Sequence, residues 1–155
     1  MPKLYVLVGV PGSGKTTWVN NQTWTGDCVY VSTDEHVEEY AKAVGKTYSE
    51  VFEEAMPNAL SEMINTVLWA RDNNYDIVWD QTSTTVNSRA KKFRMLPEYY
   101  KIAVYFPTPE AHEWRQRLDN RPGKVIPQEV LDQMVLQLEL PSKEEGFDEV
   151  WVAQS

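Results

Sequence analysis

Nine residues, Gly9-Val10-Pro11-Gly12-Ser13-Gly14-Lys15-Thr16-Thr17, carry the spacing G-x-x-x-x-G-K-[ST] of a Walker A phosphate loop. Each residue type answers a demand of triphosphate chemistry. Glycines at 9, 12 and 14 let backbone N–H groups approach phosphate oxygens with no Cβ in the way. A helix starting near Gly14 adds its positive end, and Ser13 and Thr17 complete the cradle. Lys15 is expected to reach the β- and γ-phosphates, and Thr16 to offer its hydroxyl to Mg²⁺. An apolar run, Leu4-Tyr5-Val6-Leu7-Val8, reads as the strand leading in, and Lys15 to Asn21 as the helix leading out. The stretch implies binding of a nucleoside triphosphate such as ATP.

Phosphoryl transfer also needs charge neutralisation and a group to receive the acceptor's proton. Asp34, just past a second apolar run, is the candidate general base; helix capping beside Ser32 is its plainer role. Asp80 ends the run Ile77-Val78-Trp79 in the position of a Walker B acid, a candidate for the Mg²⁺ shell or the acceptor site, with Thr82 in the polar loop behind it. A strand-ending Asp in a turn is the alternative. Arg117 and Arg121 are four apart and share a helix face; they suit a lid closing over the donor phosphates, or else a solvated helix end. Arg89, Lys91, Lys92 and Arg94 form a basic run that reads either as a solvated face or as a seat for substrate phosphates, Arg89 first among them.

These residues need elements to hold them. Helix is expected over Lys15–Gln22, closing at the turn cluster Thr25-Gly26-Asp27, then a strand over Cys28–Ser32. Ser32 and Glu35 suggest a capping box for a helix running to Val44. A longer helix over Tyr48–Asn73 carries Val51, Phe52, Ala55, Leu60, Ile64, Val67 and Leu68 near helical spacing, with Pro57 expected to begin or kink a segment. Strands at Tyr75–Trp79, Lys101–Phe106 and Val150–Val152 alternate with helices at Val86–Leu96, Glu110–Asn120 and Gln128–Leu138. Such alternation means a parallel sheet with helices on both faces. The expectation is one α/β domain over residues 1–155: three layers, α/β/α, around a central parallel sheet of about five strands, with a lid at about 117–127. In such sheets ligands sit at the carboxyl ends of the strands, which gathers the phosphate loop, Asp34 and Asp80-Gln81-Thr82 into one place.

Composition narrows the class. Hydrophobic residues at 42% and charged residues at 25% describe an ordinary globular chain, and no apolar run is long enough for a membrane helix. The net charge of −8 excludes a broad DNA-coating surface. It is unevenly spread, since Gln81–Pro127 holds nine Lys/Arg against four Asp/Glu. One cysteine, Cys28, leaves no internal disulfide and suggests a buried thiol in a reducing compartment. A first strand opening at Lys3 or Leu4 leaves no room for a leader, so a cytoplasmic location is expected. Two distant histidines make no zinc constellation. No membrane association and no obligate protein partner are expected.

Taken in order, the phosphate loop, Ser32-Thr33-Asp34, Asp80-Gln81-Thr82 and Arg117…Arg121-Pro-Gly-Lys-Val-Ile-Pro resemble the bacteriophage polynucleotide 5′-kinase domain and its zeta-toxin-like relatives along essentially the whole chain. The resemblance implies a P-loop kinase using ATP and Mg²⁺ on a 5′-hydroxyl, in host cytoplasm if phage-encoded. It makes Asp34 the general base, Lys15 and Thr16 the phosphate and Mg²⁺ ligands, and Arg117 and Arg121 lid arginines. It differs at Val37, where the phage kinase has an acceptor-binding arginine. A nucleic acid or nucleotide acceptor is therefore the leading expectation. Kinases acting on a small molecule, a nucleotide or a hydroxymethylated DNA base are the alternative, and a regulatory NTP-binding ATPase a further one.

Overall fold

A computed structural model describes residues 1–24 and 26–153; Thr25, expected in the turn cluster, lies outside the described residues. Five strands, β1 (Lys3–Val8), β2 (Cys28–Val31), β3 (Asp76–Asp80), β4 (Tyr100–Tyr105) and β5 (Glu149–Val152), form one sheet in the order β2-β3-β1-β4-β5. Every pairing is parallel. The helices are α1 (Lys15–Asn20), α2 (Asp34–Val44), α3 (Tyr48–Asp72), α4 (Val86–Met95), α5 (Ala111–Asp119) and α6 (Gln128–Gln137).

The central strand explains the layering. Leu4, Val6, Leu7 and Val8 of β1 are all fully buried, because helices cover both faces of a parallel sheet. Leu4, Val6 and Val8 meet Met63 and Val67 of α3 on one face. Leu7 meets Val19 of α1, with Ile102 and Val104, on the other. The result is the expected three-layer α/β/α arrangement. Among the described residues no helix is long and apolar enough to cross a membrane.

Four local expectations are corrected. Ser32 and Glu35 form no capping box: α2 begins at Asp34 with Thr33 as its cap residue, and Ser32 Oγ accepts the Asp34 N–H at 3.1 Å. Ser32 stands one residue too early for the box. The reciprocal pair occurs instead at α3, where Thr47 Oγ1 accepts from Glu50 N–H and Glu50 Oε1 from Thr47 N–H. Along α3 the buried stripe is Val51, Ala55, Ala59, Met63, Val67 and Ala70, while Phe52 and Leu60 are about two-fifths exposed. Alanines let α2 approach closely, and Val37 and Ala41 pack there. The helix also runs unbroken through Pro57. Pro57 and Glu53 are both exposed, so the carbonyl that loses its intrahelical donor can meet water. Cys28 is half-buried rather than core, and burial with Asp76 nearby pushes its thiol up to about 11.

Candidate active site

The phosphate loop leaves β1 under tight steric control. Gly9 N–H donates to Thr82 O at 2.9 Å, tying the loop to the segment after β3. A Cβ on Gly9 would lie 2.7 Å from Ser13 Oγ and 2.9 Å from Phe106 Cβ. Gly12 and Gly14 hold φ of 76° and 103°, left-handed conformations that glycine adopts without strain. Trp114 of α5 clamps the turn from outside, its Nε1 donating to Pro11 O at 2.7 Å.

Lys15 opens α1 and folds back into this turn, donating to the carbonyls of Gly9 and Val10 at 2.9 Å each. Burial lowers its pKa to about 8 and Arg121 pushes the same way, while Asp80 and Asp34 pull it up. Thr16 and Thr17 are exposed on the first turn. Thr16 Oγ1 stands 3.4 Å from Asp80 Oδ2.

Asp80 is carried to the rim by β3, beside Leu7 of β1. It is buried, and its Oδ2 accepts the Tyr30 hydroxyl at 2.5 Å. Burial pushes the Asp80 carboxyl up and Asp34 adds to that, against the Tyr30 hydrogen bond, Lys15 and Thr16. Asp34, half-buried at the start of α2, accepts the Tyr48 hydroxyl at 2.7 Å on Oδ1. Burial, then the hydrogen bond to Asp34, raises the Tyr48 phenol well above its usual range, so it stays a donor. Asp34, Asp80 and Lys15 thus share one electrostatic neighbourhood.

The arginines come from the other side. Arg117 Nη1 donates to Gly12 O at 3.3 Å and Nη2 to Glu113 at 2.9 Å. Arg121 is half-buried at the end of α5, and its field reaches both Lys15 and Tyr48. Two buried polar atoms here have no protein partner, Ser13 Oγ and Arg121 Nη1. Buried donors left unmatched are costly, and phosphate oxygens would match them. The donor set also suits a magnesium ion. Mg²⁺ takes oxygen ligands, one or two from protein and the rest from phosphates and water, and Thr16 with Asp80 supplies such a pair. Among the described residues no cluster of three or more His, Cys, Asp or Glu is arranged for a metal.

Arg89 does not join this group. It is fully buried, with Nε and Nη2 on the two carboxylate oxygens of Glu145 (2.6 and 2.9 Å) and Nη1 on Ser83 O (2.9 Å). Every arm of its guanidinium is spent inside the fold, which overturns its assignment to a substrate. Lys92 is also buried, over the Trp79 ring, and burial pulls its pKa down to about 8. Only Lys91 and Arg94 of the run are exposed. Thr82 is half-buried and contributes its carbonyl to Gly9. Tyr30, Tyr48 and Trp114 had no signal in sequence, since each meets its partner only through the tertiary fold. A cavity of about 630 Å³ lined by Met1, Arg71, Asn74, Leu96 and Tyr99 touches none of these groups.

Comparison with known proteins agrees with this arrangement. The AAA domain family (AAA_33) matches residues 4–141. A proposed bifunctional polynucleotide phosphatase/kinase of Acanthamoeba polyphaga mimivirus is 30% identical over 104 residues, 63% of this chain and 24% of that protein. A chain of the Pnkp1/Rnl/Hen1 RNA repair complex superposes with a TM-score of 0.66 and 25% identity, covering 88% of this chain and 44% of its own. A chain of the PezAT chromosomal toxin-antitoxin system of Streptococcus pneumoniae gives a TM-score of 0.70 at 17% identity, covering 99% of this chain and 67% of its own, a likeness of fold. This chain therefore spans about a quarter of the viral relative and under half of the RNA-repair chain. The family match agrees with the P-loop kinase resemblance carried by the motifs, and the chain belongs to the AAA-domain family of P-loop kinases.

Proposed function

We propose that the chain transfers the γ-phosphate of ATP to a hydroxyl of a nucleic acid or nucleotide, most concretely a polynucleotide 5′-hydroxyl. The observation that carries the reading is Asp34: a carboxylate fixed by Tyr48, set beside Lys15 and Asp80. A binding module needs the phosphate loop; a kinase also needs a base on the acceptor side. The polynucleotide acceptor draws support from the names of the viral relative and the RNA-repair chain.

In this reading the phosphate loop Gly9–Thr17, through the backbone N–H groups of Gly14 to Thr17, and the Lys15 ammonium bind the donor phosphates. Thr16 and Asp80 would hold Mg²⁺, which when bound neutralises phosphate charge. Asp34 takes the proton of the acceptor hydroxyl as its oxygen bonds to the γ-phosphorus and the bond to the β-phosphate oxygen breaks, releasing ADP. Arg117 and Arg121, on a lid over 117–127 of a single kinase domain, offset the charge developing on the transferred group.

A second reading keeps the donor side and changes the acceptor to a nucleoside, another small molecule or a hydroxymethylated base. Two observations favour it: Val37 is fully buried against α3, so α2 presents no acceptor-binding cation there, and Arg89 is buried too. Incubation with γ-labelled ATP and 5′-hydroxyl oligonucleotides separates the two. Label is expected on the oligonucleotide, and Asp34→Asn is expected to abolish it while ATP still binds. Label on nucleosides or modified duplex alone would support the second reading. No label on any acceptor, with Mg²⁺ and ATP saturating, would sink both.

A further inference from the structure

The first turn of α3 receives the loop that follows α5. Ser49 N–H donates to Gly123 O at 3.0 Å, and Val125 N–H donates to Ser49 Oγ at 2.7 Å. Gly123 sits at φ +71°, where a Cβ would come within 3.1 Å of Thr47 Cβ. Between them Lys124 Nζ lies 4.7 Å from the centre of the Tyr48 ring and pairs with Glu38 of α2. Three successive loop residues are therefore held by one helical turn and its neighbour. The ring that carries Lys124 belongs to the side chain whose hydroxyl binds Asp34 Oδ1.

We propose that Tyr48 is a positioning residue: it aims Asp34, and it is the platform on which residues 121–125 dock, so loop closure and orientation of the carboxylate are one event. The consequence for rate rests on the kinase reading of the site; the docking rests on geometry alone. A carboxylate with one oxygen fixed by a phenol leaves the other for an acceptor hydroxyl. The groups bearing on Asp34 are Tyr48 from α3, Lys15 from the phosphate loop and Asp80 from β3. Arg121 bears on Tyr48 and Lys15 from the docking loop, and Glu38 bears on Tyr48 from α2 itself. Arg121 lies two residues before Gly123, so a docked loop brings the lid arginine with it. An undocked loop would remove Lys124 from the ring and Arg121 from Lys15 together.

Three measurements on the intact chain test this. Trypsin reads docking at the Lys124–Val125 bond, since Arg121 is followed by proline. Gly123→Ala and Tyr48→Ala are expected to be cut at least about tenfold faster than wild type, as loss of a hydrogen bond or a stacked cation predicts. Tyr48→Phe keeps the ring and should be cut within about twofold of wild type. The ¹³C resonance of the Tyr48 ζ-carbon, read at one fixed pH, should shift in Asp34→Asn, because the phenol then loses its carboxylate acceptor. With a working acceptor, Tyr48→Phe should lower kcat at least about tenfold and leave the ATP KM within about twofold.

Wild-type cleavage of Gly123→Ala overturns the docking. A ζ-carbon indifferent to Asp34→Asn, or an unchanged kcat in Tyr48→Phe, overturns the positioning. A wild-type protein that labels no acceptor defeats the kinase reading instead, and the trypsin and ¹³C results then decide the docking and the link to Asp34.

Discussion

Replacing Arg89 by methionine separates a structural cation from a substrate-binding one. The side chain is 0% exposed and its partner Glu145 only 6%. Methionine removes the bidentate bonds at 2.6 and 2.9 Å and the bond to Ser83 O, and leaves Glu145 buried with Ser142 N–H at 3.1 Å as its remaining partner. Removing one half of a buried ion pair costs about 3–5 kcal/mol, because the other half stays desolvated. At about 2–4 °C per kcal/mol for a chain of this size, the melting temperature should fall by roughly 10 °C. Arg89→Met with Glu145→Leu removes both charges and should recover most of that loss, since an apolar pair of similar volume is often neutral or better. Thermal melts followed by circular dichroism give the shifts, and acceptor KM at a temperature where all variants are folded gives the functional side. A melting temperature within about 3 °C of wild type, together with a raised acceptor KM, would refute the reasoning and return Arg89 to the substrate.

Arg121→Ala should lower kcat by about a thousandfold with the fold intact, at the modest end of what transition-state arginines contribute; steady-state kinetics decide it, and a rate within about threefold would demote Arg121 to surface charge. Lys15, with its pKa lowered from 10.5 to about 8, gives MgATP binding a pH dependence. The ammonium is present below about pH 8, so the ATP Kd should be flat there and rise by up to about tenfold per unit above it, as loss of one required proton dictates. The folding consequence has the opposite sign. Between about 8 and 10.5 the unfolded chain binds the proton and the folded chain does not, so this residue's contribution to stability rises with pH. Calorimetric titrations at pH 7, 8 and 9 read the binding, with Lys15→Met as the control whose pH dependence should vanish; a wild-type Kd that does not change across them would contradict the assignment.

The phosphate loop was legible because its requirements are local. Gly9, Gly12 and Gly14 are demanded by backbone path and close approach, and both are written in consecutive residues. Asp34 and Asp80 were legible for a related reason: a carboxylate that ends an apolar run is delivered to the sheet's carboxyl edge by any parallel α/β topology. In the basic run helical phase, not charge, decides which residues face solvent. Residues 89 and 92 share one face of α4, turned inward, while 91 and 94 are exposed. Glu145, 56 positions away, together with Ser83 O, makes a buried arginine tolerable there. Tyr48 was invisible on similar grounds, since its meeting with Asp34 depends on α2 and α3 closing over alanines that carry little hydrophobic signal. Val37 belongs to that same closure. It is fully buried among Ala41, Val51 and Ala55, so an arginine at 37 would have to force a guanidinium into the seam that sets Tyr48 against Asp34. The contact that aims the candidate base and the absence of the acceptor arginine therefore have one cause, and it favours an acceptor recognised from the lid or the β3 loop rather than from α2.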